Sequence, residues 1–265
     1  MLAGAALLQG KIFSSLFSET MNKPIGLQLF TLFNTFDSDV AGNLKKIAGN
    51  GYLEIESAFS KKAGFYGMKA KEFAAMVKDN GMSWKSHHVL GAQFKMPPGA
   101  KMPLDADGKP LVIPVIKNLT DNMQEIVDEA AEAGIPYLVC ANIPTYTTDE
   151  LKSSIETLNK TAEACKKAGL LLAYHNHDAE FKAVDGNVPY DLLLSETNAD
   201  TMKMELDLCW VTKAGVDPVE LFKKHPGRFH LWHVKDLDKA MTGPSQLAPA
   251  SWISKLFSNT QKRQV

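Results

Sequence analysis

The sequence is poor in cysteine and carries almost no net charge. Its three cysteines, Cys140, Cys165 and Cys209, are far apart and lie in apolar or helical surroundings. Neither a disulfide framework nor a CxxC zinc motif is present, so we expect three buried thiols. The 29 basic and 30 acidic residues give a formal net charge of −1. This balance supplies no field for binding nucleic acid or an anionic membrane surface, and nucleic acid is not an expected partner.

The sequence also lacks an apolar run long enough to span a bilayer. It begins MLAGAALLQGKIFSSLF, which is apolar but short, and which lacks the basic start of a secretory signal. We interpret residues 1–20 as the remnant of an export signal, or otherwise as a disordered N-terminus, and residues 21–265 as one domain. A signal remnant would place the protein in the periplasm; without one, the cytoplasm is expected.

One unit recurs along the chain: an amphipathic helical pattern, a glycine and a short apolar strand. It is clear in IVDEAAEAGIPYLVC and TAEACKKAGLLLAYHNH. The glycine suits the left-handed residue that ends a helix. The predicted strands are 25–31, 52–57, 83–88, 136–142, 170–176, 203–209 and 229–235, and the predicted helices include 69–79, 119–133 and 148–168. Regular alternation of strands and helices predicts a parallel α/β sheet.

Seven such units predict a (β/α)8 TIM barrel, in which the site residues lie at the carboxyl ends of the strands. A doubly wound open sheet is the rival fold. It would carry a glycine-rich nucleotide loop after the first strand, and LQLFTLFNTF contains no glycine. Residues 94–114 are rich in proline and glycine and interrupt the pattern after the third strand. We interpret them as a loop that is either a lid over the site or a passive surface excursion.

Polar side chains gather at the carboxyl ends of the predicted strands, on the face opposite the apolar one. This face carries His175 and His177 in strand 5, Asp207 in strand 6, and His233 and Lys235 in strand 7. Charges are costly to bury unless they are paired or bound to a metal. Imidazole and carboxylate groups together favour Zn²⁺, Mn²⁺, Co²⁺ or Fe²⁺. We predict one divalent ion, held by His175, Asp207 and His233.

The same alternation assigns faces in three other places. It puts Glu205 on the face of Asp207, and Glu56 on the polar face of strand 2. In strand 3 it puts His88 on the same face as Trp84, so that His88 can line the pocket. His87 is then expected to point outward and to be structural.

Five segments resemble the xylose-isomerase-like TIM barrel family of sugar phosphate isomerases and epimerases. They are IGLQLF, GYLEIE, YHNHDAEF, ELDLCWVTKAGVDP and GRFHLWHVKD, and the similarity extends over about residues 24–240. The resemblance implies a divalent metal at the barrel mouth that holds two adjacent sugar oxygens, while glutamates move a proton beside a carbonyl. By position, Asp207 and His233 match ligands of that metal. Glu56, His88 and His177 match pocket positions.

Two features depart from the family pattern. The ligand position of strand 5 holds His175 where the family has a glutamate, which keeps a metal ligand but removes a carboxylate base. The segment ASWISKLFSNTQKRQV resembles the last crossover helix of the family, and no strand ending in a glutamate follows it. We therefore expect a barrel truncated or frameshifted before strand 8, or one that a partner completes; a homo-oligomer is left open.

The predicted function is isomerisation or epimerisation of a small sugar or keto-sugar by metal-dependent proton abstraction next to a carbonyl, through an enediolate. The candidate catalytic bases are Glu180, Glu56 and His177, and the candidate substrate-binding residues are His88, Lys235 and Gln28. His175 and the export signal favour a first alternative, a lyase or hydratase acting on a 3-keto sugar or glycoside. An inactive or binding-only barrel is a second alternative, and a phosphodiesterase like the abasic-site endonucleases is the least supported.

Overall fold

The structure is a computed structural model that describes residues 24–60, 62–93 and 116–235. In these ranges, parallel strands form one seven-stranded sheet, in which the strands follow one another in chain order. They are β1 (Gly26–Gln28), β2 (Glu54–Ser57), β3 (Ser83–Leu90), β4 (Tyr137–Asn142), β5 (Leu171–His175), β6 (Met202–Asp207) and β7 (Phe229–His233). Each predicted strand is present, and the α/β class is confirmed.

Helices connect the strands. They are α1 (Val40–Gly49), α2 (Ala70–Asp79), α3 (Leu119–Ala133), α4 (Thr148–Lys167), α5 (Pro189–Glu196), α6 (Leu208–Lys213) and α7 (Pro218–Lys224). The described residues also form three 3-10 helices, at Leu29–Leu32, Phe36–Ser38 and Ala179–Phe181. The predicted helices 69–79, 119–133 and 148–168 correspond to α2, α3 and α4.

A glycine ends the recurring helical unit, as predicted. Gly134 follows α3 with φ at 71°, and its N–H bonds the carbonyl of Ala131 at 3.0 Å. A side chain would strain this left-handed conformation, so glycine lets β4 begin three residues later. The glycines after α1, α2 and α4 are Gly51, Gly81 and Gly169, and each has a positive φ.

The sheet is strongly curled. The Nε2 atom of His233, at the end of β7, lies 2.7 Å from Oε1 of Glu56 on β2. In a flat sheet these strands would be five strand spacings, or about 24 Å, apart. The described strands are therefore consistent with an incomplete TIM barrel.

The core lies between the outer face of the sheet and the helices. Leu172 and Tyr174 of β5, and Met204 and Leu206 of β6, are completely buried on this face. The alternate residues of these strands carry the polar groups, including His175 and the acids of β6. Strand parity therefore separates the apolar layer from the polar interior, as the sequence predicts.

Six strands are shorter than predicted, and two of them, β1 and β6, give way directly to a helix. β1 ends at Gln28 and gives way to the 3-10 helix, so the prediction of a strand to residue 31 was wrong. β6 ends at Asp207, and Leu208 already belongs to α6. The Asp207 side chain accepts hydrogen bonds from the N–H groups of Cys209 and Trp210, both at 3.1 Å. This capping starts the helix where the sequence pattern continued the strand.

The predicted face of Trp84 was also wrong. The pairing of β2 with β3 shifts register, so that Ile55 lies opposite Trp84 while Glu56 lies opposite Ser86. The extra residue in β3 breaks simple alternation. Trp84 consequently packs against Phe73 of α2, with ring centroids 4.8 Å apart, whereas Ser86 bonds Glu56 inside the barrel.

Three predictions concern residues that the structure does not describe: the export remnant at 1–20, the loop at 94–114 and the last crossover helix in the C-terminal segment. Within the described part of the chain, no helix combines the length and hydropathy that a membrane crossing requires.

Candidate active site

Acidic and imidazole side chains from five strands converge at the carboxyl end of the sheet. They are Glu56 from β2, His88 from β3, His175 from β5, Glu205 and Asp207 from β6, and His233 from β7. All are buried or nearly so. Buried charges at this density require partners, and the contacts divide the residues into two groups that share His233.

The first group, here called the outer trio, is His175, Asp207 and His233. The Oδ2 atom of Asp207 lies 3.2 Å from Nε2 of His175 and 3.6 Å from Nδ1 of His233. The Nζ atom of Lys235 lies 2.6 Å from the same oxygen. The three predicted metal-binding side chains and the predicted substrate lysine therefore meet at one carboxylate oxygen.

The second group, here called the inner quartet, is Glu56, His88, Glu205 and His233. Glu205 precedes Asp207 by two residues on β6, so it lies about 7 Å deeper along the strand. Nε2 of His88 lies 2.6 Å from Glu205 Oε2 and 3.0 Å from Glu56 Oε1. Two acids and two imidazoles thus form a compact, largely buried cluster.

Unsatisfied ring nitrogens indicate that the outer trio suits a cation. The Nδ1 atoms of His175 and His233 are buried and have no hydrogen-bond partner among the described residues. An orphaned buried polar atom is costly. Each group places one donor atom per residue within 4.8 Å of all the others. Two imidazoles and one carboxylate fit a divalent transition metal with open positions for a substrate.

Charge pairing moves the pKa values of the imidazoles in opposite directions. Burial lowers the pKa of both His88 and His233, but Glu56 and Glu205 outweigh it and raise these values to about 9 and about 10. Burial dominates at His175 and holds its pKa well below the usual range. At neutral pH these shifts leave the quartet imidazoles charged and His175 neutral.

The carboxyl groups also differ. Burial raises the pKa of every acid in the cluster, but at Glu56 the nearby His88 and His233 outweigh it and lower the value. At Glu205 burial and the charge of Glu56 together leave the pKa raised. Around Asp207, His175, His233 and Lys235 overcome burial and lower its pKa. Two adjacent carboxyl groups with opposite shifts are typical of sites that move protons.

Glu180, the first candidate base, lies outside this cluster. Its Oε1 accepts a hydrogen bond from the hydroxyl of Tyr174 at 2.8 Å, and its Oε2 accepts one from the N–H of His177 at 2.9 Å. Tyr174 is on the opposite face of β5 from His175. The structure thus places Glu180 beneath the loop that carries His177, where it orients that loop.

His177 lies at the mouth of the site. Its ring centroid is 4.8 Å from that of His175 and 5.5 Å from Trp210, and its side chain is 35% exposed. Its Nδ1 has no hydrogen-bond partner in the described ranges. Burial lowers the pKa of His177 to about 4, so the ring is neutral. A neutral, partly accessible imidazole can accept a proton.

Gln28, a predicted substrate-binding residue, lines the same pocket. The Gln28 amide lies 3.0 Å from Nδ1 of His88. His87 is on the outer face, as predicted, where its Nδ1 is 2.7 Å from the Ser57 hydroxyl. Glu205 was missing from the predicted set, although strand alternation put it on the polar face. Its contact with His88, at 2.6 Å, depends on the curl of the sheet, which the alternation of one strand does not predict.

An aromatic cluster lies at the same end of the sheet, on what is here called the rim of the site. Phe30 and Phe33 follow β1, and Phe59 follows β2, so all lie beyond the carboxyl ends of strands. The three ring centroids are separated by 5.2 to 5.9 Å. Phe30 is 44% exposed. The rim therefore offers an apolar surface beside the polar pocket.

Comparison with known proteins agrees with this geometry. A family model for xylose isomerase-like TIM barrels matches residues 44–246. Two solved sugar phosphate isomerase/epimerases from Parabacteroides distasonis ATCC 8503 are similar. One is 28% identical with a TM-score of 0.69, and the match covers 90% of this chain and 88% of that one. The other is 27% identical with a TM-score of 0.66, and the match covers 89% and 82%.

A curated relative gives a shorter match. The inosose dehydratase of Geobacillus kaustophilus (strain HTA426) is 28% identical over 95 residues. The match spans 36% of this chain and 30% of the relative, so the chain covers less than a third of that protein's length. Lyases are therefore found beside isomerases among the relatives.

Proposed function

Because the chain belongs to the xylose isomerase-like TIM barrel family, we propose that it is a divalent-metal-dependent enzyme that isomerises or epimerises a small sugar by moving a proton next to a carbonyl. The observation that supports this most is the outer trio, in which two imidazoles and a carboxylate from neighbouring strands meet. When bound, a divalent ion would polarise the carbonyl and stabilise charge that develops on its oxygen.

The chain's own residues would supply the remaining steps. Lys235, 2.6 Å from Asp207, can turn its ammonium group toward a sugar oxygen once a cation takes over that carboxylate. His177 is our proposed proton acceptor, because its side chain is partly exposed at the mouth of the site and burial keeps its ring neutral. Glu56, which is more deeply buried, is the alternative base. The apolar rim at Phe30 can cover the hydrophobic face of the sugar.

Asp207→Asn tests the proposal, since it keeps the shape of the side chain and removes its charge. We expect the wild-type protein to retain a divalent ion after dialysis, and to convert at least one member of a panel of keto-sugars and their phosphates. D207N should lose at least about 100-fold in turnover. Glu54→Gln is the control, because Glu54 lies on β2 at its amino end and pairs with Lys85. Full activity in D207N would contradict the proposal.

Dehydration is a second candidate function, which the similarity to an inosose dehydratase favours. It begins with the same proton abstraction, after which a neighbouring hydroxyl leaves as water. Mass spectrometry of the product separates the two reactions. An isomer or epimer keeps the mass of the substrate, whereas a dehydrated product is lighter by one water.

A further inference from the structure

The donor atoms of the inner quartet form a closed ring. Oε1 of Glu56 lies 3.0 Å from Nε2 of His88 and 2.7 Å from Nε2 of His233. Oε2 of Glu205 lies 2.6 Å from Nε2 of His88 and 3.3 Å from Nε2 of His233. Each carboxylate oxygen thus touches both imidazole nitrogens, and each nitrogen touches both oxygens.

This ring is close to the size that a cation requires. Metal bonds of about 2.1 Å place the four donor atoms of a tetrahedral site about 3.4 Å apart. The ring of Glu56, His88, Glu205 and His233 has edges of 2.6 to 3.3 Å. Opening it by less than about 1 Å would therefore admit an ion such as Zn²⁺ or Co²⁺.

Contacts outside the ring also orient the donor groups. Nδ1 of His88 lies 3.0 Å from the Gln28 amide, whose oxygen can accept the second ring proton if the amide is turned. The other oxygen of Glu56 accepts a hydrogen bond from the Ser86 hydroxyl at 2.5 Å. Metal-binding histidines and carboxylates are commonly oriented by such outer contacts.

The two carboxylates of the quartet match the charge of a divalent cation. With both imidazoles neutral, Glu56 and Glu205 bring two negative charges, which a divalent ion matches. The outer trio brings only the charge of Asp207, and Lys235 is already 2.6 Å from it. A dication in the trio must displace that ammonium group, and one in the quartet takes the place of the protons that pair His88 and His233 with the two glutamates.

We propose that the inner quartet is a second position for a divalent cation, and that the shared His233 makes the two positions mutually exclusive. The imidazole of His233 faces Glu56 and Glu205 with its Nε2 atom, and it faces Asp207 with its Nδ1 atom. A neutral imidazole binds a metal through one nitrogen and keeps a proton on the other. The chain therefore holds one ion at a time, in either position, whether or not a sugar is its substrate.

Cobalt titration tests this inference, with visible absorption and metal analysis as the measurements. We expect one Co²⁺ per chain in the wild type. Glu205→Gln should keep only the outer position and Asp207→Asn only the inner one, so each variant should bind one ion with its own spectrum. The double variant should lose at least about 100-fold in affinity. E54Q is the control and should match the wild type.

Several results would overturn the inference. Two ions per chain in the wild type would contradict mutual exclusion. Loss of binding in D207N with no spectral or affinity change in E205Q would remove the quartet as a cation site, while the proposed function would stand. Unchanged binding in the double variant would contradict both. If the double variant does not fold by circular dichroism, His233→Asn replaces it, because this change removes a ligand from both positions.

Discussion

At the scale of single residues, the position of His233 decides the electrostatics of the site. Its ring lies between the carboxylates of Glu56 and Asp207, and its stacked neighbour His88 is 5.2 Å away. Both imidazole rings form ion pairs with Glu56 and Glu205. Two buried carboxylates whose oxygens lie within 4.8 Å of each other would repel strongly, so imidazolium groups or a cation must accompany them.

The three thiols give a first prediction. Cys140, Cys165 and Cys209 are buried and form no disulfide, as predicted from the sequence. Burial raises the pKa of Cys140 and of Cys165 to about 12, so neither forms the reactive thiolate at neutral pH. We expect an aromatic disulfide reagent to label none of them in the native protein and all of them in urea. Rapid native labelling would contradict the packing of β4 and α4.

The rim phenylalanine gives a second prediction. Phe30→Ala should raise KM for the sugar by about 10-fold, because it removes apolar surface beside the pocket, and it should change stability by less than about 1 kcal/mol. Steady-state kinetics and urea unfolding check the two effects. Ile25→Ala is the matched control, since Ile25 is 69% exposed just before β1. An unchanged KM in F30A would exclude Phe30 from substrate binding.

At the scale of secondary-structure elements, the register shift in β3 builds a second buried polar network on the outer face. The Trp84 indole donates hydrogen bonds to the Ser57 hydroxyl at 2.7 Å and to the Ser86 carbonyl at 2.9 Å. Phe65 packs against the indole ring with centroids 4.9 Å apart. These contacts lock β2 to β3 and so fix the positions of Glu56 and His88.

Trp84→Phe is the third prediction. The change keeps an aromatic ring but removes the indole N–H that donates to the Ser57 hydroxyl and the Ser86 carbonyl, so we expect a loss of about 1–3 kcal/mol in the free energy of unfolding. Urea denaturation measures it. Trp232→Phe serves as the control, because Trp232 is 47% exposed and should change stability by less than about 0.5 kcal/mol.

The sequence predicted the order of the elements and not their local irregularities. Helix, glycine and strand alternate because each unit must bury one apolar face, and this pattern is visible in one dimension. The extra residue in β3 leaves no such trace, so Trp84 was placed on the wrong face. The capping of α6 by Asp207 was also missed, because this carboxylate was interpreted only as a metal ligand.

At the scale of the whole molecule, the curl of the sheet creates the site. Strand parity identified His175, Asp207 and His233 from their own strands, and β5, β6 and β7 are neighbours in the sheet. Contacts between distant strands were beyond that reasoning. The approach of β2 to β7, which joins Glu56 to His233, requires the three-dimensional curvature of the sheet and not only the faces of its strands.

Ion binding should stabilise the entire fold, which is the fourth prediction. The ligands come from strands throughout the chain, so an ion binds the native state and not the unfolded chain. At a free ion concentration 100 times Kd, the expected gain is about 2.7 kcal/mol. Calorimetry with Co²⁺ and with a chelator should show a higher Tm for the former. The response should vanish in the E205Q/D207N double variant; if it persists there, the ion binds elsewhere.

The most direct test of the central claim is uptake of solvent deuterium next to the carbonyl of a keto-sugar, followed by proton NMR. We predict that the wild-type protein catalyses exchange when a divalent ion is bound and that chelation abolishes it. The exchange rate should fall at least about 100-fold in D207N and should be unchanged in E54Q. Exchange that continues at full rate without a divalent ion, or in D207N, would contradict metal-dependent proton transfer at this site.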